Sequence, residues 1–190
     1  MSCLTVVTGL PCRLSPPRNA GGGHVNACGS RLLRVAFYLL AARFDSTYAV
    51  TMIPVVIDTN VFVAGLRSGG GASRQVLRKA LLGHFVPLFG NALWLEYQDL
   101  LGRDVWGELT TPDERLQVLA ALAKSGRWVK VYFGWRPNLP DEADNHLIEL
   151  ALAGAAAAIV THNVRDLRGG ELLLGNLRVL TPAQSLEKWR

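Results

Sequence analysis

Four groups of oxygen-bearing side chains punctuate the sequence: Asp58-Thr59-Asn60, Glu96, Asp141-Glu142-Ala143-Asp144, and Thr161-His162-Asn163-Val164-Arg165-Asp166. Asp58 directly follows the run Val55-Val56-Ile57, and Thr161 follows Ile159-Val160 in the same way. Such runs read as buried strands, and in open parallel sheets the ligand-binding crevice lies beyond the carboxyl ends of the strands. A carboxylate held there carries a desolvation cost unless a cation or a hydrogen-bond donor offsets it. Asp is also a preferred helix cap, so capping of the next helix accounts for Asp58 equally well.

Glu96 lies three residues after Leu93 and four before Leu100, at the edge of the stripe Leu93, Tyr97, Leu100 and Leu101, while Asp99 points further out. A rim glutamate paired with Arg103 is the plainer alternative. Asp144 stands three and four residues before Leu147 and Ile148, over the face that packs inward, with Asp141 one turn earlier. Acids also favour a first helical turn for its dipole alone. After the strand at Ile159-Val160, a loop presents a hydroxyl, an amide and a carboxylate in Thr161, Asn163 and Asp166. Carboxylates sharing one crevice repel and raise one another's pKa values. Hard divalent cations remove that penalty, and oxygen-rich sites suit Mg²⁺ or Mn²⁺. Ions so held activate water and stabilise charge on a phosphoryl group, which fits phosphodiester hydrolysis.

The elements that must position these groups alternate. Strands are predicted at Val55–Ile57, Phe85–Phe89 (interrupted by Pro87), Trp128–Phe133, Ala157–Thr161 and Arg178–Leu180. Helices are predicted over Val61–Leu66 and Ser73–Leu82, the latter closed by Gly83. Others run from a cap at Asn91 to Leu101, and from a Thr111-Pro112 start to Lys124. Two more run from Asp141 to Ala153, ended by Gly154, and from Thr181-Pro182 to the last residue. Strands separated by helices imply an α/β fold with a mainly parallel sheet of about five strands.

A chain of 190 residues holds one such core, expected over 52–190. Residues 1–51 read differently, with Pro16-Pro17, Gly21-Gly22-Gly23, no sustained period, and all three cysteines in no zinc-binding spacing. They are expected to be a disordered or spurious extension, with Met52 as the true start; the alternative is a genuine flexible arm that touches RNA through its arginines. They carry five Arg and one acid, Asp45. Taken from the chain's 20 basic and 15 acidic residues, that leaves 15 and 14 after Thr51, so the basic character belongs mostly to this extension. The longest apolar run, Val35–Ala42, is far shorter than the roughly 18 residues of a spanning helix. A cytoplasmic protein with no membrane attachment is expected.

The ordered set Val56-Ile57-Asp58-Thr59-Asn60-Val61, Glu96, Asp141-x-x-Asp144 and Ile159-Val160-Thr161-His162-Asn163-x-Arg165-Asp166 resembles the PIN-domain family. It is most similar to toxin components of bacterial and archaeal toxin–antitoxin pairs, as is the closing Val179-Leu180-Thr181-Pro182-Ala183. The resemblance covers 52–190. It implies a three-layer α/β/α sandwich and Mg²⁺- or Mn²⁺-dependent endoribonuclease activity, with RNA as substrate, a cognate antitoxin protein as partner, and a homodimer. It implies that Asp58, Glu96 and Asp144 are the catalytic, metal-binding acids. Thr59 or Asn60 would support the first, Thr161 would orient water or metal-linked groups, and Asp141 is a further candidate. Where the family often has Asp, this chain has Asn163, and Asp166 would take over as the fourth ligand.

Arg67, Arg74, Arg136, His162, Arg165 and Arg168 lie in or near loops, where they could meet RNA phosphates or serve only as solvated charge. His84 and His146 read as surface or helix-flank residues. Trp94, Trp106, Trp128 and Trp135 read as packing residues before base-stacking ones. The alternative is a catalytically silent PIN-like module that binds RNA or protein. A haloacid-dehalogenase-type phosphatase would need a second Asp where Asn60 stands, and a receiver domain would need paired acids after the first strand.

Overall fold

The computed structural model describes residues 52–132, 134, 139, 142–168 and 177–190. Residues 1–51, Phe133, Trp135, Arg136, Asp141 and the side chain of Arg168, on which expectations above fall, lie outside the described residues.

Five parallel strands form one sheet: Ile53–Ile57 (β1), Phe85–Phe89 (β2), Arg127–Trp128 (β3), Ala158–Val160 (β4) and Arg178–Leu180 (β5), in the order β3-β2-β1-β4-β5. Val55, Val56 and Ile57 are all buried although successive side chains point to opposite faces. Both faces of β1 are therefore covered, as a three-layer α/β/α sandwich requires. The helices are Thr59–Arg67 (α1), Ala72–Leu81 (α2), Asn91–Leu101 (α3), Pro112–Ser125 (α4), Asn145–Ala153 (α5), Val164–Arg168 (α6) and Pro182–Lys188 (α7). Helix α5 packs on β1, β2 and β4, whereas α2 packs on β2, α1, α4 and α7.

Local chemistry sets the boundaries. Helices α4 and α7 each begin with a Thr cap and a proline and carry a complete capping box, Thr111 with Glu114 and Thr181 with Gln184. Helix α2 closes through Leu82 into Gly83, whose φ of 82° lies in the left-handed region that glycine tolerates. Pro87 is accommodated inside β2 because β3 pairs only with Leu88 and Phe89.

Several expected boundaries are corrected. The third strand ends at Trp128, short of the expected run: among the described residues β3 is the sheet edge, and after Val129 N–H donates to Phe89 O at 2.8 Å the exposed Lys130–Tyr132 meet no further described strand. Gly90, not Asn91, is the N-cap of α3, and no side chain caps that helix. Ahead of α5, residues Glu142–Asp144 form a 3₁₀ turn, so the α-helix starts at Asn145. Asp166 lies not in a loop but in α6, where Leu167 turns inward and Asp166 is exposed.

Chain order reverses at β1. The chain moves outward from β1 through β2 to β3, then returns to β4 on the other side of β1. The β1–β4 junction is thus the switch point of the sheet, where such folds open a crevice at the strand ends.

Candidate active site

Register places the first two groups. Ile57 pairs with Val160 and Val160 with Leu180, so Asp58 and Thr161 occupy the next step beyond the pairing. Asp58 N–H donates to Val160 O at 3.0 Å, and Thr161 N–H to Leu180 O at 3.0 Å. Both side chains are buried. Thr161 Oγ1 donates to Asp58 Oδ2 at 2.6 Å, and Asn60 Nδ2 donates to the same oxygen at 2.7 Å. Asp58 Oδ1 accepts the Asn60 N–H at 3.3 Å, the cap of α1. Capping and a site role are therefore compatible in one side chain.

Tyr97 sets the position of Glu96. The buried phenol of Tyr97 donates to Ile57 O at 2.8 Å, and its ring meets Phe62 edge-on at 5.1 Å between centroids. Burying an aromatic of this size contributes about 1.5–3 kcal/mol, enough to fix α3 against the end of β1. Glu96, the preceding residue, then reaches over Asp58. Thr59 Oγ1 lies 2.7 Å from Glu96 Oε1 and 3.3 Å from Asp58 Oδ1. A hydroxyl has one proton to give, and the shorter approach assigns it to Glu96. Arg103 pairs with Asp99 instead of Glu96, although its charge still favours ionised Glu96.

His146, read from sequence as a helix-flank histidine, belongs to this cluster. Its Nε2 lies 3.1 Å from Glu96 Oε2, within ion-pair reach but without the alignment of a hydrogen bond. Its Nδ1 lies 2.6 Å from Ala143 O. Acceptors at both nitrogens favour the doubly protonated ring.

The electrostatics follow from these contacts. Burial pushes the Asp58 carboxyl above its ordinary value, and Glu96 adds to the rise, outweighing the lowering by Thr161, Asn60 and Thr59. Glu96 is held below the usual glutamate value, chiefly by His146 and further by Thr59, against the opposing effect of burial. For His146 burial is the largest single influence and lowers it; Glu96, the Ala143 carbonyl and Asp144 together raise it above the ordinary histidine value. Tyr97 is pushed well up by burial and by both acids.

Other expected residues fall around this centre. Asp144 is half-buried at the start of α5, makes no capping bond to it, and acts on His146. Asn163 donates its N–H to Thr161 Oγ1 at 2.9 Å and its amide to Asp166 Oδ2 at 2.6 Å. Asp166 thus faces Asn163 on an exposed surface. His162 donates its N–H to Asn60 Oδ1 at 3.2 Å, and its Nε2 lies 2.8 Å from Ser73 Oγ, tying α2 to the site rim. Arg74 bonds the Ser68 carbonyl at 2.7 Å, while Arg67 and Arg165 are exposed. Among the described residues no group of three or more His, Cys, Asp or Glu side chains is arranged to hold a metal ion.

The donor set nevertheless suits one hard cation. Asp58 and Glu96 offer carboxylate oxygens side by side, and the buried Asp58 is penalised for its charge. Mg²⁺ is commonly held by one or two carboxylates together with water and substrate phosphate. Among the described residues no helix is long and apolar enough to cross a membrane.

A family model for the PIN domain matches residues 54–165, which span all of these groups except Asp166. No curated protein matches the chain.

Proposed function

The chain belongs to the PIN-domain family, and we propose that it is a divalent-metal-dependent endoribonuclease acting at Asp58 and Glu96. The observation that carries this reading is the buried Asp58 carboxylate beside a second carboxylate at the switch point of the sheet, with its charge opposed by burial and by Glu96. A bound Mg²⁺ or Mn²⁺ would supply an activated water and charge stabilisation at the scissile phosphate. Asp58 and Glu96 would hold it, with Asp144 and Asp166 as outlying acids to be drawn in with substrate. The chain's own residues do the positioning. Thr161 and Asn60 fix both the rotamer and the hydrogen-bonded edge of Asp58. Thr59 and His146 hold Glu96 from its two oxygens. Tyr97 and Phe62 close the floor beneath them against water.

The toxin role, with an antitoxin protein as partner, rests on the likeness of the ordered set Val56–Val61, Glu96, Asp141-x-x-Asp144 and Ile159–Asp166, and of the closing Val179–Ala183, to toxin-type members, and a homodimer and a cytoplasmic location go with it. A second reading, a silent module that binds RNA or protein, is favoured by the engagement of Glu96 with His146 and of Asp166 with Asn163. Metal-dependent cutting of RNA by the full chain, lost in Asp58→Asn, separates the two.

A further inference from the structure

We infer that Ser73 and His162 are positioning residues for the acidic site. They fix the Asn60 amide so that Asp58 presents Oδ1, the oxygen that shares Thr59 with Glu96, to a cation. This rests on the metal-dependent reading and names what holds its central carboxylate in place. Ser73 stands in the first turn of α2, away from the acids, and is buried. Its Oγ lies 2.8 Å from Nε2 of the exposed His162. The approach of α2 that allows this contact depends on Gly65, buried in α1. A Cβ there would meet Leu77 Cδ1 at 2.7 Å and the Ser73 carbonyl oxygen at 3.2 Å, so a larger residue would push the start of α2 away. Close contact of two helices thus carries a serine to the turn that follows β4.

From His162 the connection passes through the backbone. Its N–H donates to Asn60 Oδ1 at 3.2 Å, while Asn60 Nδ2 donates to Asp58 Oδ2 at 2.7 Å and to Thr161 Oγ1 at 3.1 Å. An amide has two orientations, and its neighbours decide between them. Turned over, Asn60 would set its NH₂ against the His162 N–H and its carbonyl oxygen against the Asp58 carboxylate. With Thr161 Oγ1 also donating at 2.6 Å, Asp58 Oδ2 holds two short bonds. Oδ1 holds the longer cap bond from Asn60 N–H at 3.3 Å, and Thr59 Oγ1, also 3.3 Å away, gives its proton to Glu96. The carboxylate is therefore firmly engaged on one oxygen and lightly on the other. A carboxylate held in this way is already oriented when the cation arrives, as outer partners of metal ligands commonly ensure. The Ser73 hydroxyl ties the exposed His162 ring, and with it the peptide that faces Asn60, to the helical layer.

The test compares the full chain with Ser73→Ala, with His162→Ala at its exposed position, and with the double variant. Mn²⁺ affinity is measured by calorimetry. The NMR signal of the Asn60 side-chain amide is followed without metal, identified by its absence in Asn60→Ser. Each single variant is expected to shift that signal and to weaken Mn²⁺ binding ~10-fold, the lower end of the ~10–100-fold typical of outer partners of a metal ligand. The double variant is expected to lose no more than either single one, because Ser73 acts through His162. Unchanged Mn²⁺ affinity in both single variants overturns the inference, and so does an unmoved Asn60 signal. Losses that add in the double variant overturn it too, since the two side chains would then act separately. Should Ser73→Ala fail to fold, His162→Ala alone decides on the same two readouts. A parent that binds no Mn²⁺ removes the metal-dependent reading, and the amide signal then decides whether these residues position Asn60. Mn²⁺-dependent cutting with an unmoved amide signal keeps the nuclease and removes the positioning roles.

Discussion

The Thr161 hydroxyl donates to Asp58 Oδ2 at 2.6 Å while accepting from Asn60 Nδ2 at 3.1 Å and from Asn163 N–H at 2.9 Å. Its single proton and both of its lone pairs are thereby used. Because Thr161 is fully buried, nothing in solvent replaces those bonds when the hydroxyl is removed. Thr161→Val is expected to cost about 1–3 kcal/mol, the penalty for unsatisfied buried polar groups. Thr161→Ser, which keeps the hydroxyl, is expected to cost less. Urea denaturation in chelator checks both; equal stability of the Val and Ser variants would contradict this role.

Asp58 makes stability fall as pH rises. Its folded pKa lies above the ordinary 3.8, so the folded state holds a proton that the unfolded chain has released. Stability is lost as pH climbs from 3.8 through the folded value. Asp58→Asn removes this titration. The stability of the variant relative to the parent is expected to grow over that window when divalent ions are absent. Denaturation curves collected across acid to neutral pH test it, and a constant difference between parent and variant would count against the burial of Asp58.

The Glu96–His146 pair has two windows of opposite sense. Glu96 titrates below its ordinary 4.5, so its contribution is present above 4.5 and lost as pH falls through the folded value. His146 titrates above its ordinary 6.5, so its contribution is present below 6.5 and lost as pH rises through the folded value. His146→Ala is expected to destabilise the protein between these windows, with the difference shrinking in stronger acid and in alkali. The carboxyl carbon of Glu96, followed by NMR titration, is expected to move to higher pKa in that variant. An unmoved Glu96 would mean that the ring only packs against it.

Asp58 and Thr161 were legible because each ends a β-branched run, and parallel register then brings them together without further information. Glu96 was legible from the stripe of α3. His146 was not, although it stands four residues before the buried Leu150 and so shares its helical row. Its pairing with Glu96 joins α3 to α5 and depends on how two helices cross, which neither periodicity contains. The extent of β3 is not legible, because Val129, Val131 and Tyr132 favour strands while the edge position of β3 leaves them no outer strand among the described residues. The place of Asp166 is not legible in the same way: Thr161–Asp166 has the composition of a strand-end loop, but the turn into α6 directs Asp166 to Asn163 and solvent.

A divalent ion at the acidic pair is expected to stabilise the fold by mass action. At an ion concentration one hundred times its dissociation constant the gain is about 2.7 kcal/mol. Mn²⁺ is expected to raise the Tm of the parent measurably, to act weakly on Glu96→Gln, and to leave Asp58→Asn unmoved. Equal shifts in all three proteins would place the ion elsewhere.

The most direct test is cleavage of a mixed, structured RNA by the full chain with Mg²⁺ or Mn²⁺, beside a chelator control and a folded Asp58→Asn variant. The expected result is cutting that needs the ion and falls at least ~100-fold in the variant, beyond the ~10–100-fold typical of changes to groups that only support a metal ligand. Cutting that persists in Asp58→Asn, or in chelator, would contradict the assignment of this carboxylate as the centre of the site.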